Sequence, residues 1–138
     1  MYPHQLDRLT ATLDREGLKA LIGTTAENVF YMTGFRSLNH GIFRTSQFAV
    51  WTPRGTALVV PAVDVPHLMD EGIAVDHVIA FGGFVCSYAD PLGVDPRLRE
   101  WTERRAPSPG HAIASALEAL GVREGRVGLD ESTLTPTA

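Results

Sequence analysis

Two β-rich runs, Phe48-Ala49-Val50-Trp51 and Ala57-Leu58-Val59-Val60, are joined by Thr52-Pro53-Arg54-Gly55. Proline fixes one φ and glycine supplies a positive one, the backbone settings a tight reversal needs. The two runs therefore pair antiparallel, and any fold of this chain has to be built around that hairpin.

The flanking sequence alternates helix and strand. Leu6, Leu9 and Leu13 form one stripe of a helix that starts near Pro3, with Gly17 as a left-handed cap and Leu18 as the apolar contact that closes it. Ala20 to Gly23 is a short uninterrupted apolar run, the pattern of a strand buried on both faces. Thr25 caps a second helix that runs to Met32 and ends at Gly34. After the hairpin, Ala62 to Glu71 reads as a helix started by Asp64 and stopped by Gly72, and Asp76 to Phe81 as a strand. Gly82 to Pro107 is the least regular stretch, with one or two helical turns around Arg97 to Glu103. Ser108-Pro109 opens a helix carrying Ile113, Ala116, Leu117 and Leu120 and ending at Gly121, and Arg126 to Asp130 is a last strand. A hairpin combined with helix-linked strands predicts an α/β fold: a mixed β-sheet flanked by helices.

A chain of 138 residues with 44% hydrophobic and 20% charged residues fits one folded domain with its own core. The formal charge of -4 offers no general attraction to phosphate backbones or anionic membranes, so neither nucleic acid nor a membrane is an expected partner. Cys86 is the single cysteine, and Met1-Tyr2-Pro3-His4 begins neither a signal peptide nor an apolar anchor; the expected location is cytoplasmic. Thr135-Pro136 is a further helix start with only Thr137 and Ala138 after it, which reads as the front piece of a longer protein.

Chemistry is sparse. Asp64, His67 and Glu71 fall at i, i+3 and i+7 of one helix, a spacing that can hold a metal ion; the plainer account has Asp64 capping the helix while His67 and Glu71 face water. No local base accompanies Cys86, and Gly82-Gly83 lacks a phosphate-binding pattern and is explained by a turn. Arg97, Arg99, Arg104 and Arg105 surround Trp101, but Asp95, Glu100 and Glu103 are interleaved, and an i, i+4 pair such as Glu100 with Arg104 makes this a solvated helix face. The segment from Gly34 to Arg44 differs in kind. It places Arg36, Asn39, His40 and Arg44 in a loop before the hairpin, where a rigid scaffold can present them to a carboxylate or amide. In the alternative reading both arginines are solvated, and Phe35 and Phe43 tuck into the core.

Three stretches together resemble one known family. Leu13-Asp14-Arg15-Glu16-Gly17-Leu18-Lys19-Ala20-Leu21-Ile22 leads to Thr25-Ala26-Glu27-Asn28-Val29-Phe30-Tyr31-Met32-Thr33-Gly34-Phe35, and Arg126-Val127-Gly128-Leu129-Asp130-Glu131 follows near the end. The chain resembles the N-terminal domain of the creatinase and prolidase family, which includes the Xaa-Pro aminopeptidases. That resemblance implies a ribonuclease-H-like α/β domain covering residues 1–138, followed in the parent protein by a C-terminal pita-bread domain that carries the chemistry. It further implies two divalent metal ions, manganese, cobalt or zinc, bound by two aspartates, a histidine and two glutamates of that second domain. None of those ligands maps onto this chain, so no catalytic or metal residue is assigned here.

The resemblance also implies a role. Such a domain packs on its own catalytic domain and on a second subunit in a homodimer or tetramer, and lends a loop that narrows a partner's active-site mouth to short proline-containing peptides. Arg36, Asn39, His40 and Arg44 are the substrate-contacting candidates on that loop. A creatinase-like amidinohydrolase is a sister possibility, and a scaffold of the same fold without catalytic ligands is the non-enzymatic one. An exposed apolar patch is expected where a partner docks.

Overall fold

The computed structural model describes residues 3–43, 45–83 and 95–130. Its elements are α1 (Pro3–Glu16), β1 (Ala20–Gly23), α2 (Ala26–Thr33), α3 (Leu38–Phe43), β2 (Phe48–Thr52), β3 (Gly55–Pro61), a 3-10 turn (Ala62–Asp64), α4 (Val65–Glu71), β4 (His77–Phe81), α5 (Pro96–Glu103), α6 (Pro109–Ala119) and β5 (Val127–Leu129). The hairpin forms as its turn chemistry dictates: β2 and β3 pair antiparallel from Phe48↔Val59 to Thr52↔Gly55. Gly55 has φ 156°, and a Cβ there would meet Asp76 Oδ2 at 2.6 Å, so no larger residue fits that corner. Asp76 uses the same oxygen to accept from the Thr56 amide at 2.7 Å, which sets β4 in register beside β3.

Five strands make one sheet in the order β4-β3-β2-β1-β5. β1 runs antiparallel to β2, whereas β3–β4 and β1–β5 are parallel. Parallel neighbours need a crossover, and α4 occupies the one between β3 and β4. The sheet is therefore mixed, as the sequence predicts.

The pleat distributes the hairpin's side chains between two cores. Ala49, Trp51, Leu58 and Val60 pack with Leu9 and Leu13 of α1, Val29 and Met32 of α2, and Val65 and Leu68 of α4. Phe48, Val50, Ala57 and Val59 face the other way, onto Ala112 and Ala116 of α6 and onto Leu120. A sheet covered on both faces explains why β2 carries no exposed position.

Two helix ends follow the predicted capping. Gly17 at φ 64° lets the Leu18 amide donate to Leu13 O at 2.9 Å, and Gly121 at φ 76° allows the same bond from Val122 to Leu117 O at 2.8 Å. In the irregular stretch, Pro96–Glu103 is α5, and Ala106 bonds alongside β4 at Ala80 and Gly82. Cys86 and the Thr135-Pro136 signal lie outside the described residues.

Candidate functional site

The segment between α2 and the hairpin is not the open loop its sequence suggests. Residues Leu38–Phe43 form α3, a helix with no buried residue. Phe35 is buried in the core at 1% exposure, but Phe43 is 71% exposed, so only one of the two aromatic residues tucks inward. Leu38 and Ile42, one helical turn apart, are each 68% exposed. Together with half-exposed Phe30 they supply the exposed apolar side chains of this end of the molecule. Arg36 lies over the Phe30 ring at 4.7 Å, a cation–π contact that fixes a guanidinium at the edge of the apolar group.

α3 buries none of its residues, and the side-chain bonds at its two ends converge on one buried carboxylate. Asp64 is 1% exposed and accepts from Ser37 Oγ at 3.1 Å, from the Asn39 side-chain amide and from the side-chain amide of Gln47. Gln47 is equally buried, at 1%. The three donors to Asp64 come from before, within and after α3, and none of them is a cation. Hydrogen bonds to a charged group contribute about 1.5–3 kcal/mol each, well above neutral ones.

These contacts correct the reading of Asp64 as a helix cap. It occupies the N-cap position of α4, but its side chain makes no capping bond because both oxygens are turned toward residues 37, 39 and 47. They also dissolve the Asp64, His67 and Glu71 metal set. His67 Nε2 lies 3.3 Å from Glu71 and 3.2 Å from the carbonyl of Arg36, while its ring packs on Phe35 at 5.6 Å. Among the described residues no group of three or more histidine, cysteine, aspartate or glutamate side chains is placed to hold a metal ion. The i, i+3, i+7 spacing is real, but its first two members grip the segment leading into α3.

His40 sits half-buried on α3, with its backbone amide bonded to Ser37 Oγ at 3.3 Å and its Nδ1 buried without a partner. Burial lowers its pKa from the ordinary imidazole value, against opposing pulls from nearby backbone carbonyls and from the carboxylates of Asp64 and Glu27. A cavity of about 200 Å³ separates α2 from α3, bordered by Glu27, Val29, Arg36, His40 and Gln47. Of the four sequence candidates, Arg36 and His40 border this cavity, Asn39 is committed to Asp64, and Arg44 lies outside the described residues.

A second carboxylate joins the Thr25 to Phe35 stretch to the Arg126 to Glu131 stretch. Asp130, just after β5, accepts from the Thr24 amide at 2.7 Å, the Thr25 amide at 3.4 Å and the Asn28 side chain. Thr25 in turn caps α2 by accepting from the Asn28 amide at 3.1 Å, and Gly34 ends the helix at φ 77°. Asn28 and Asp130, far apart in sequence, thus meet at one junction of β1, α2 and β5, where they build structure. Sequence reasoning missed both carboxylate clusters. The available signal was a charged residue inside the apolar run Pro61-Ala62-Val63-Asp64-Val65 and an amide directly before a buried strand.

On the opposite side, a wider groove of about 640 Å³ runs between β4, α5 and α6. Arg104, which lines it, reaches Glu100 at 3.4 Å, and on α5 Arg97 bonds Asp95 at 2.7 Å. The Arg97 hydrogen bonds hold the Asp95 carboxyl below its ordinary value. This is the solvated helix face that the interleaved charges predict. No described helix is long and apolar enough to cross a membrane.

Residues 5–138 match the family model of the creatinase/prolidase N-terminal domain, and the chain belongs to that family. Solved structures agree on the fold. The N-terminal domain of an Xaa-Pro dipeptidase from Lactobacillus brevis superposes with a TM-score of 0.62 at 16% identity, covering 96% of this chain and 81% of that one. A proline dipeptidase from Streptococcus pneumoniae gives 0.60 at 20% identity over 96% and 77% of the two chains. An Xaa-Pro dipeptidase from Bacillus anthracis also gives 0.60, at 13% identity, covering 97% of this chain and 28% of its own. The chain thus spans less than a third of that dipeptidase. No curated protein matches the sequence.

Proposed function

We propose that this chain is the non-catalytic N-terminal domain of a metal-dependent Xaa-Pro peptidase, and that α3 with Arg36 shapes the substrate entrance of a neighbouring subunit. Family membership supports the first part. The observation that carries the second is α3 itself: a helix on a rigid α/β sandwich that buries none of its residues and holds Leu38, Ile42 and Phe43 in solvent. Apolar side chains displayed this way gain free energy only when another surface covers them. Arg36 beside them supplies a planar cation suited to a peptide carboxylate.

In this reading the hydrolytic metal pair, manganese, cobalt or zinc, belongs to the catalytic domain and not to residues of this chain. Its chemistry is to activate water and polarise the scissile carbonyl. The present residues orient and exclude. The apolar face seals the entrance against bulk water, and Arg36 selects for short substrates with a free carboxylate.

The test is hydrolysis of an Xaa-Pro dipeptide by the full-length protein with manganese, compared with Arg36→Ala. Loss of a carboxylate contact is expected to raise KM about tenfold or more while kcat holds within about twofold. Turnover indifferent to manganese would defeat the metallopeptidase reading, and an unchanged KM in Arg36→Ala would defeat the entrance role.

A further inference from the structure

We infer that Asp64 is a positioning residue whose buried carboxylate sets the placement of α3 and of Ser37 and Gln47 beside it, and through them the surface that α3 presents. This rests on the entrance reading only for its consequence; the placement itself stands on geometry. A helix as short as Leu38–Phe43, with Gly41 inside it, does not persist alone in water. Nothing in it is buried, so no apolar packing replaces the missing cooperativity. What fixes it is a pair of tethers. Ser37 and Asn39 bond Asp64 at the start of the segment and Gln47 bonds it at the end, all on a side chain that is itself 1% exposed.

Asp64 is itself 1% exposed and flanked by core residues. Ala62 two positions before it and Val65 directly after it are 2% and 0% exposed, although Val63 between them is 43% exposed, and the strand leading to them, β3, is paired on both sides in the sheet. The carboxylate is therefore a fixed point of the sandwich to which an otherwise unsupported helix is hung. His67 adds a parallel tether, 3.2 Å from the Arg36 carbonyl. The arrangement resolves a conflict: α3 has to keep its apolar side chains outward, so it cannot be held by burying them, and hydrogen bonds take over.

The oxygens divide the work. Ser37 and Gln47 share Oδ2, and Asn39 takes Oδ1. In Asp64→Asn the remaining oxygen still receives Ser37 and Gln47, and Asn39 can rotate its amide to accept from the new NH2 group. In Asp64→Leu, of similar size, all three donors lose their acceptor.

Hydrogen–deuterium exchange on the full-length protein reads the placement directly. In Asp64→Leu, amides of residues 38–43 are expected to exchange at least about tenfold faster, with the β2 and β3 amides unchanged, while Asp64→Asn stays within about threefold of the wild type. Should Asp64→Leu not fold, the paired change Ser37→Ala with Asn39→Ala cuts the same tethers from the α3 side and carries the same expectation. Unchanged protection of α3 in a folded variant overturns the proposal. So does equal loosening of β2 and β3, which would make Asp64 a general core residue, and so does an Asp64→Asn protein as loose as the leucine variant. With a loosened α3, KM for an Xaa-Pro dipeptide is expected to rise about tenfold. A loosened α3 with KM unchanged supports the positioning role and overturns the entrance reading.

Discussion

Helices α2 and α3 are neighbours in the chain and of similar length, yet opposite forces secure them. Thr25 caps α2, Gly34 terminates it, and Val29, Met32 and Thr33 are buried beneath it. α3 has neither a buried residue nor a long hydrophobic stripe, and depends on bonds to Asp64. The difference shows how a domain can display apolar side chains without losing their geometry. Core packing specifies position by consuming the apolar face; a buried acceptor specifies position and leaves that face available.

The largest expected break in this contrast comes from Phe35, which is buried at 1% exposure where the chain leaves α2. Phe35→Ala removes a full aromatic side chain from the core and is expected to cost about 3–5 kcal/mol in urea unfolding. A loss under about 1 kcal/mol would mean that α2 is not anchored by packing. Next is Asp130→Ala, which strands the amides of Thr24 and Thr25 and the side chain of Asn28 at the head of α2. A destabilisation of about 2–3 kcal/mol is expected by thermal or urea denaturation.

On the α3 side the effects are small, and that is the point of measuring them. Ile42→Ala, at a position 68% exposed, should change unfolding stability by less than about 0.5 kcal/mol. The same variant should weaken subunit association in sedimentation experiments if α3 docks against a partner. A stability loss like that of Phe35→Ala would erase the distinction between the two helices.

The smallest expected effect is a pH slope. Burial lowers the His40 pKa, so the folded chain takes up that proton less readily than the unfolded chain. Its contribution favours folding above about pH 6.5 and is lost as the pH falls below that value toward the depressed folded pKa. His40→Gln should flatten this part of the curve relative to the wild type in denaturation between about pH 7.5 and 5.5. A wild type that gains stability over that range, relative to the variant, would mean that Asp64 and Glu27 outweigh burial.

What the sequence discloses follows the range of the forces involved. The Thr52-Pro53-Arg54-Gly55 turn, the Gly17 and Gly121 caps and the Ser108-Pro109 helix start are local, and each forms where its residues predict. α3 was not legible because its support comes from residue 64, and because a six-residue segment holding Gly41 has no helical signal of its own. Asp64 satisfies the positional rule for a cap while its carboxylate serves elsewhere, so local chemistry misassigns it. At the site, the sequence offers Arg36, Asn39, His40 and Arg44 as chemically able groups, and Arg36 and His40 border the cavity. That Asn39 is occupied internally, and that Phe43 faces solvent, depended on contacts no short-range pattern encodes.

The parallel register of β1 with β5, Ala20 opposite Val127, has a consequence for how the chain is made. A ribosome adding roughly 5–20 residues per second needs roughly 5–20 s between finishing β1 and delivering its neighbour. During that interval one flank of β1 has its backbone donors and acceptors open to any passing strand. Newly born copies are therefore most prone to stick to one another before β5 emerges, and β1's brevity, four residues, limits the length of edge on offer during that time.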